Sequence, residues 1–219
     1  MAFAETLQRA EFPVSRGRPA MVQERRPLLT ELVIGGSGSG KSAYAEQEVL
    51  AAGCGSVYYL ATMRVLDEEM EKKVARHRNM RAGRGWLTLE QPVDIGKAAD
   101  VIGCASSVPG QAEAAGRIRG DGSAVLLECL SNLVANEMFR GAQVLAEDAV
   151  VRNIVSGIRR LRACTAWLVI VTNAVFSDGT AYDEGTEAYI RALGRINQEI
   201  SGMADRVTEV VAGIPVRLK

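Results

Sequence analysis

Glu31-Leu32-Val33-Ile34-Gly35-Gly36-Ser37-Gly38-Ser39-Gly40-Lys41-Ser42 is the stretch whose reading decides the fold. A short apolar run enters Gly-x-x-x-x-Gly-Lys-Ser, and a helical pattern follows from Ala43. Strand, glycine loop and helix in that order are the context of a phosphate-binding P-loop. The glycines let successive backbone N–H groups converge on one spot, where the positive end of the next helix also points. Phosphate oxygens fit that spot. Lys41 is placed to reach the β- and γ-phosphates, and the Ser42 hydroxyl to bind Mg²⁺.

Working outward, the pattern predicts a strand at 32–34, a helix at 41–52 stopped by Gly53 and Gly55, and a strand at 57–61 ending at Thr62. A helix is expected over 66–81, capped by Asp67, then a strand at 86–89 ending at Glu90 and a helix over 93–102. Residues 103–123 are rich in Gly, Ser and Ala and read as a surface insertion. Ala124-Val125-Leu126-Leu127 is a continuous apolar run, as a strand buried on both faces requires, and it ends in Glu128. Helices at 130–139 and 144–163, a strand at 166–171 ending at Thr172-Asn173, and a loop over 176–185 follow. A helix at 186–203 carries the stripe Tyr189, Leu193, Ile196, Ile200 and Met203. Strands at 206–211 and 216–218 close the chain. Alternating strands and helices imply an α/β fold with a mostly parallel central sheet, right-handed crossovers and ligands beyond the carboxyl ends of the strands. Residues 1–28 carry Pro13, Pro19 and Pro27 and no sustained period. They read as a poorly ordered N-terminal extension, with the working domain at 29–219 and Met21 a second possible start.

Composition excludes several function classes. The 219 residues hold 26 basic and 26 acidic side chains, so no global charge favours nucleic acid or an anionic membrane. No apolar run approaches the ~18 residues that span a bilayer. Cys54, Cys104, Cys129 and Cys164 are widely spaced, which favours free thiols in a reducing compartment, the cytoplasm, over a zinc site or disulfide framework. His77 is the one histidine, so any histidine chemistry falls to it.

Glu128 closes its strand where the Walker B carboxylate sits, which orders Mg²⁺ or its waters. The bland alternative is an acid that meets solvent. His77 shares a helix face with Leu66, Met70 and Val74, and so is either a core residue or one aimed into a cleft. Arg64, Arg76, Arg78, Arg81 and Arg84 surround it. They suit a phosphate partner or, equally, a solvated basic helix end. Glu90 could orient a ribose, hold a second metal or be a plain strand-end charge.

Taken together these pieces resemble a known family. They are the P-loop, Tyr59-Leu60-Ala61-Thr62, Asp67-Glu68-Glu69-Met70, Arg76-His77-Arg78 to Arg81, Trp86-Leu87-Thr88-Leu89-Glu90, Leu126-Leu127-Glu128-Cys129, Val171-Thr172-Asn173, Gly194-Arg195-Ile196-Asn197-Gln198 and Gly213-Ile214-Pro215. In that order they are similar to the bifunctional adenosylcobinamide kinase/adenosylcobinamide-phosphate guanylyltransferases of cobalamin biosynthesis. The resemblance implies a RecA-like P-loop NTPase fold and two reactions. A nucleoside triphosphate, ATP or GTP, phosphorylates the aminopropanol hydroxyl of adenosylcobinamide. GTP then guanylylates a histidine, by position His77, and the GMP passes to adenosylcobinamide phosphate. It further implies nucleotide contacts from Gly35, Gly36, Ser37, Gly38, Ser39, Gly40, Lys41, Ser42, Thr62, Met63, Arg64, Arg78, Asn79, Met80, Arg81, Glu90 and Glu128, Mg²⁺ at Ser42 and Glu128, and a homotrimer. The chain departs from the family at Gly38, commonly Arg, and at Ala174, commonly Glu. A kinase without guanylyl transfer and a nucleotide-dependent regulatory module are the rival functions.

Overall fold

The computed structural model describes residues 28–64, 85–107, 122–141, 143–174 and 182–219. Its frame is a seven-stranded sheet built from β1 (Leu29–Gly35), β2 (Ser56–Ala61), β3 (Trp86–Glu90), β4 (Ser123–Glu128), β7 (Trp167–Asn173), β8 (Arg206–Val211) and β9 (Ile214–Arg217). The spatial order is β3-β2-β4-β7-β1-β8-β9. All neighbours are parallel except the closing β8–β9 hairpin. β7, the next strand of this sheet along the chain after β4, therefore inserts between the Glu128 strand and the P-loop strand, which is the RecA-like arrangement.

Both faces of the sheet are covered, so its central strands are apolar without alternation, as parallel sheets require. Ala124, Val125, Leu126 and Leu127 of β4 are fully buried, as are Leu168 to Val171 of β7. One face packs under α1 (Lys41–Ala51), through Ala45 and Val49 against Val33, Leu126 and Val169. The other carries α2 (Gly96–Ser107), α3 (Leu130–Met138), α4 (Glu147–Cys164) and α5 (Glu184–Met203). The α4 stripe Val150, Ile154, Ile158 and Leu161 is fully buried at the 3.6-residue period, and Glu147 and Asp148 in its first turn suit the helix dipole. Asp183 caps α5 by accepting from the Thr186 N–H at 3.0 Å.

Several boundaries differ from the sequence reading. β1 begins at Leu29, before the apolar run, because its polar residues find partners on the elements packed around it. The Thr30 N–H donates to Asp205, and Glu31 accepts from Thr208 and Tyr44. The helix expected at 93 starts at Gly96, since Asp94 has a left-handed φ of 50° and its N–H is held by Glu137. It continues to Ser107, into the stretch read as insertion. The helix expected at 144 starts at Glu147, because β5 (Phe139–Arg140) and β6 (Gln143–Val144) form a small antiparallel ribbon. β9 starts two residues early, at Ile214. It tolerates Pro215 because an edge strand can spare one N–H. The helix expected over 66–81, and most of the N-terminal extension, of the 103–123 insertion and of the 176–185 loop, lie outside the described residues. No helix among the described residues is long and apolar enough to cross a membrane.

Candidate active site

The P-loop fills the carboxyl end of β1. Gly38 and Gly40 take φ of 72° and 91°, a region that favours glycine. A Cβ on Gly35 would stand 2.5 Å from Ser39 Oγ and 2.8 Å from the Val210 carbonyl oxygen, so the strand can turn into the loop only without one. The turn between β8 and β9 supports the loop from behind: Gly213 N–H donates to the Ser39 carbonyl at 2.8 Å. α1 then starts at Lys41 with no side-chain cap, which leaves its first N–H groups for an anion. Lys41 is buried, and its Nζ donates to the Gly36 carbonyl at 3.0 Å. That bond folds the ammonium back over the loop.

Glu128 ends β4 beside this loop. It accepts a short hydrogen bond from the Ser42 hydroxyl and one of 3.1 Å from the Tyr59 hydroxyl. Hydroxyl and carboxylate together, half-buried at the mouth, are a donor set that suits Mg²⁺, which takes one or two protein oxygens and completes its shell with phosphate and water. Among the described residues no group of three or more His, Cys, Asp or Glu could cage a metal.

The next strand ends form the rim. Thr62 is fully buried, and its hydroxyl donates to the Cys129 carbonyl at 2.7 Å. Its own carbonyl accepts from Asn136 at 2.7 Å, and its N–H donates to the Glu128 carbonyl. Thr62 thus ties the ends of β2 and β4 together. Half-buried Met63 and Arg64 follow it. Glu90 is exposed, and the register sets it level with Glu128 on the far side of Ala61. At ~4.8 Å per strand the two acids stand about 10 Å apart along the rim. His77, Arg78, Asn79, Met80 and Arg81 lie outside the described residues.

α3 runs along this rim. Ser131 at its start accepts from Asn173 at 2.7 Å, Asn136 reaches Thr62, and Glu137 near its end reaches Asp94 and Arg140. Arg140 holds the Asp94 carboxyl below its usual range by hydrogen bonding, which fixes the turn after β3. Tyr189 of α5 donates to the Ser131 carbonyl, and burial foremost pushes its hydroxyl up to about 12. The sequence reading missed Tyr59, Ser131 and Asn136. Only Tyr59 left a signal: it alternates onto the same face as Leu126 and Glu128 once β2 and β4 are paired.

A parallel sheet with a P-loop, a lysine over the loop and an acid–hydroxyl pair beside it define a nucleotide-using P-loop protein. A family profile described as cobinamide kinase / cobinamide phosphate guanyltransferase matches residues 31–218. The bifunctional adenosylcobalamin biosynthesis protein CobU of Escherichia coli (strain K12) is 32% identical over 200 residues, covering 86% of this chain and 98% of that protein. CobU of Salmonella typhimurium and CobP of Pseudomonas aeruginosa are each 30% identical, over 86% and 87% of this chain and 98% of theirs. Among solved structures, the flagellar accessory protein FlaH from Methanocaldococcus jannaschii matches at 13% identity and a TM-score of 0.44, over 89% of this chain and 80% of that one. The chain belongs to the cobinamide kinase / cobinamide phosphate guanyltransferase family, and so to the transferases.

Proposed function

We propose that this chain phosphorylates the aminopropanol hydroxyl of adenosylcobinamide and then transfers GMP from GTP to adenosylcobinamide phosphate, giving adenosyl-GDP-cobinamide. The observation that carries the reading is the Ser42–Glu128 pair beside a loop whose lysine folds back over it. In the first reaction the loop N–H groups and Lys41 hold the β- and γ-phosphates. Ser42 and Glu128 would hold Mg²⁺, which neutralises charge on the phosphate oxygens when bound. The alcohol oxygen bonds to the γ-phosphorus, the bond to the bridging oxygen breaks, and the nucleoside diphosphate leaves with that electron pair.

In the second reaction a nitrogen of His77 attacks the α-phosphorus of GTP and pyrophosphate leaves. The cobinamide phosphate then takes the GMP and frees the imidazole. This role comes from the resemblance and from His77 being the one histidine in the chain. Arg64, Arg78 and Arg81 would offset phosphate charge, Met63, Asn79, Met80 and Glu90 would complete the nucleotide contacts, and ATP or GTP would serve as phosphate donor; Thr62, buried with its polar groups bonded to Cys129, Asn136 and Glu128, would brace the rim beneath the nucleotide. A cytoplasmic homotrimer built from residues 29–219, with residues 1–28 as an extension, belongs to the same proposal.

The test is incubation of the purified chain with Mg²⁺ and α-³²P-labelled GTP, with His77→Ala alongside. Acid-labile, alkali-stable label on the wild type and none on the variant is the expected result. No label on the wild type, with γ-labelled nucleotide still phosphorylating adenosylcobinamide, would leave a kinase and remove the guanylyl half.

A further inference from the structure

The P-loop and the Ser42–Glu128 pair account for the nucleotide but not for the alcohol that receives the phosphate. In-line transfer places that alcohol opposite the leaving β-phosphate. The β-phosphate lies in the P-loop, so the alcohol approaches from over the carboxyl ends of β7 and β4. There β7 offers one polar side chain beyond its buried part, Asn173, followed by the methyl of Ala174. Asn173 pairs in register with Gly35, the first loop glycine, and the Ala174 N–H donates to the Gly35 carbonyl at 3.2 Å. β7 thus runs two residues past the level of Glu128, because Leu127 pairs with Ile170.

The Asn173 amide is half-buried and its orientation is set. Its Nδ2 donates to Ser131 Oγ at 2.7 Å, and Ser131, itself buried, also meets Cys129 Sγ at 3.0 Å. Among the described residues the Asn173 side chain has no partner but Ser131, so its other amide hydrogen and its carbonyl oxygen are left for a ligand. An amide with both functions suits the two groups that must be aligned. Its oxygen accepts from an alcohol O–H, and its N–H donates to a phosphate oxygen.

We propose that the Asn173 amide, fixed by Ser131, orients the acceptor alcohol against the γ-phosphate in the phosphoryl-transfer step. The inference rests on the kinase reading above. Asn173 takes no proton: the alcohol proton passes to a γ-phosphate oxygen as the new P–O bond forms and the diphosphate departs. Ser131 acts through Asn173 and is a positioning residue.

The experiment uses the full chain as wild type, Asn173→Ala, Ser131→Ala and Ser131→Thr. Each is assayed for γ-³²P transfer to adenosylcobinamide and, separately, for covalent label from α-³²P GTP. Asn173→Ala is expected to lower kcat for phosphorylation roughly 100-fold, with the nucleotide KM and the GMP label within about threefold of wild type. Ser131→Ala is expected to lower kcat about tenfold at unchanged nucleotide KM, and Ser131→Thr, which keeps a hydroxyl, to recover most of it. Asn173→Ala with kcat within threefold of wild type would overturn the proposal while leaving the kinase reading intact. Equal loss of phosphorylation and label would also overturn it, by showing a structural role. Should Asn173→Ala fail to fold, the Ser131 pair decides: loss with rescue supports the proposal, and an unchanged kcat ends it. A wild type that phosphorylates no cobinamide would remove the kinase reading, and this inference with it.

Discussion

Glu128 and Glu31 are both acids on strands of one sheet, both lie under α1, and each accepts from one tyrosine and one side-chain alcohol. Glu128 takes Tyr59 and Ser42, and Glu31 takes Tyr44 at 3.0 Å and Thr208 at 2.7 Å. Even their α1 partners are two residues apart. The difference is position along the strand. Glu128 is the last residue of β4 and half-buried at the mouth, whereas Glu31 is the third residue of β1 and fully buried. At the mouth a carboxylate can give up a hydroxyl for a metal or its water. In the sheet interior it can serve only the partners it already has, and the second oxygen of Glu31 has none among the described residues. Under the proposed function, chemically matched sites are separated into catalytic and structural by where a strand ends.

The largest effect that could break this comparison is at the mouth. Glu128→Gln is expected to lower the phosphorylation rate on the order of 100-fold with little change in thermal midpoint. A variant that melted early at normal turnover would place Glu128 with the structural acid. Gly40→Ala comes next. Its φ of 91° and the Gly213 Cα at 3.2 Å from the new methyl leave the loop no relaxed geometry. Nucleotide affinity, read by titration with a fluorescent GTP analogue, should fall about tenfold or more, at roughly 1–3 kcal/mol of backbone strain.

Glu31→Ala should strand the hydroxyls of Tyr44 and Thr208. The expected loss is about 2–3 kcal/mol, or roughly 4–12 °C in midpoint, with kcat near wild type. Glu31→Gln, which keeps an acceptor, should cost under about 1 kcal/mol. If it equalled Glu31→Ala, charge rather than acceptance would be what the site needs. The smallest effect is alkaline. Burial foremost raises the Tyr44 hydroxyl above 10.0, with Glu31 adding to the rise. A raised folded value means this group's stability is complete below pH 10 and is lost as pH climbs through the folded value. From pH 9 to 11 the wild type should lose more midpoint than Tyr44→Phe. Parallel slopes would discard the idea.

The comparison also explains what was legible. The P-loop was readable because its chemistry is local: Gly35 to Ser42 carry the backbone angles, the lysine and the hydroxyl in one run. Glu128 was readable because a continuous apolar run announced a strand and an acid closed it. Glu31 looked like the residue before a strand, since a charge inside a sheet needs a partner that only tertiary structure supplies, here Thr208. Ser131 and Asn136 were silent for the same reason, as their partners lie far off in the chain, at the end of β7 and just past β2. The ribbon at 139–144 was missed because two-residue strands carry no period to detect. The mostly parallel sheet and the mouth could thus be anticipated, but the wiring of the rim could not.

Strand β1 has a consequence for how the molecule comes into being. Both its neighbours, β7 and β8, are encoded far downstream of it, and the glycine that braces Ser39 comes later still. During synthesis the P-loop strand therefore waits unpaired until Trp167 and then Arg206 have left the ribosome. Such distant pairings close slowly. The braced P-loop cannot exist before Gly213 has been made. A nascent chain cut short before Gly213 would have translated every residue of the loop and still lack the brace behind it.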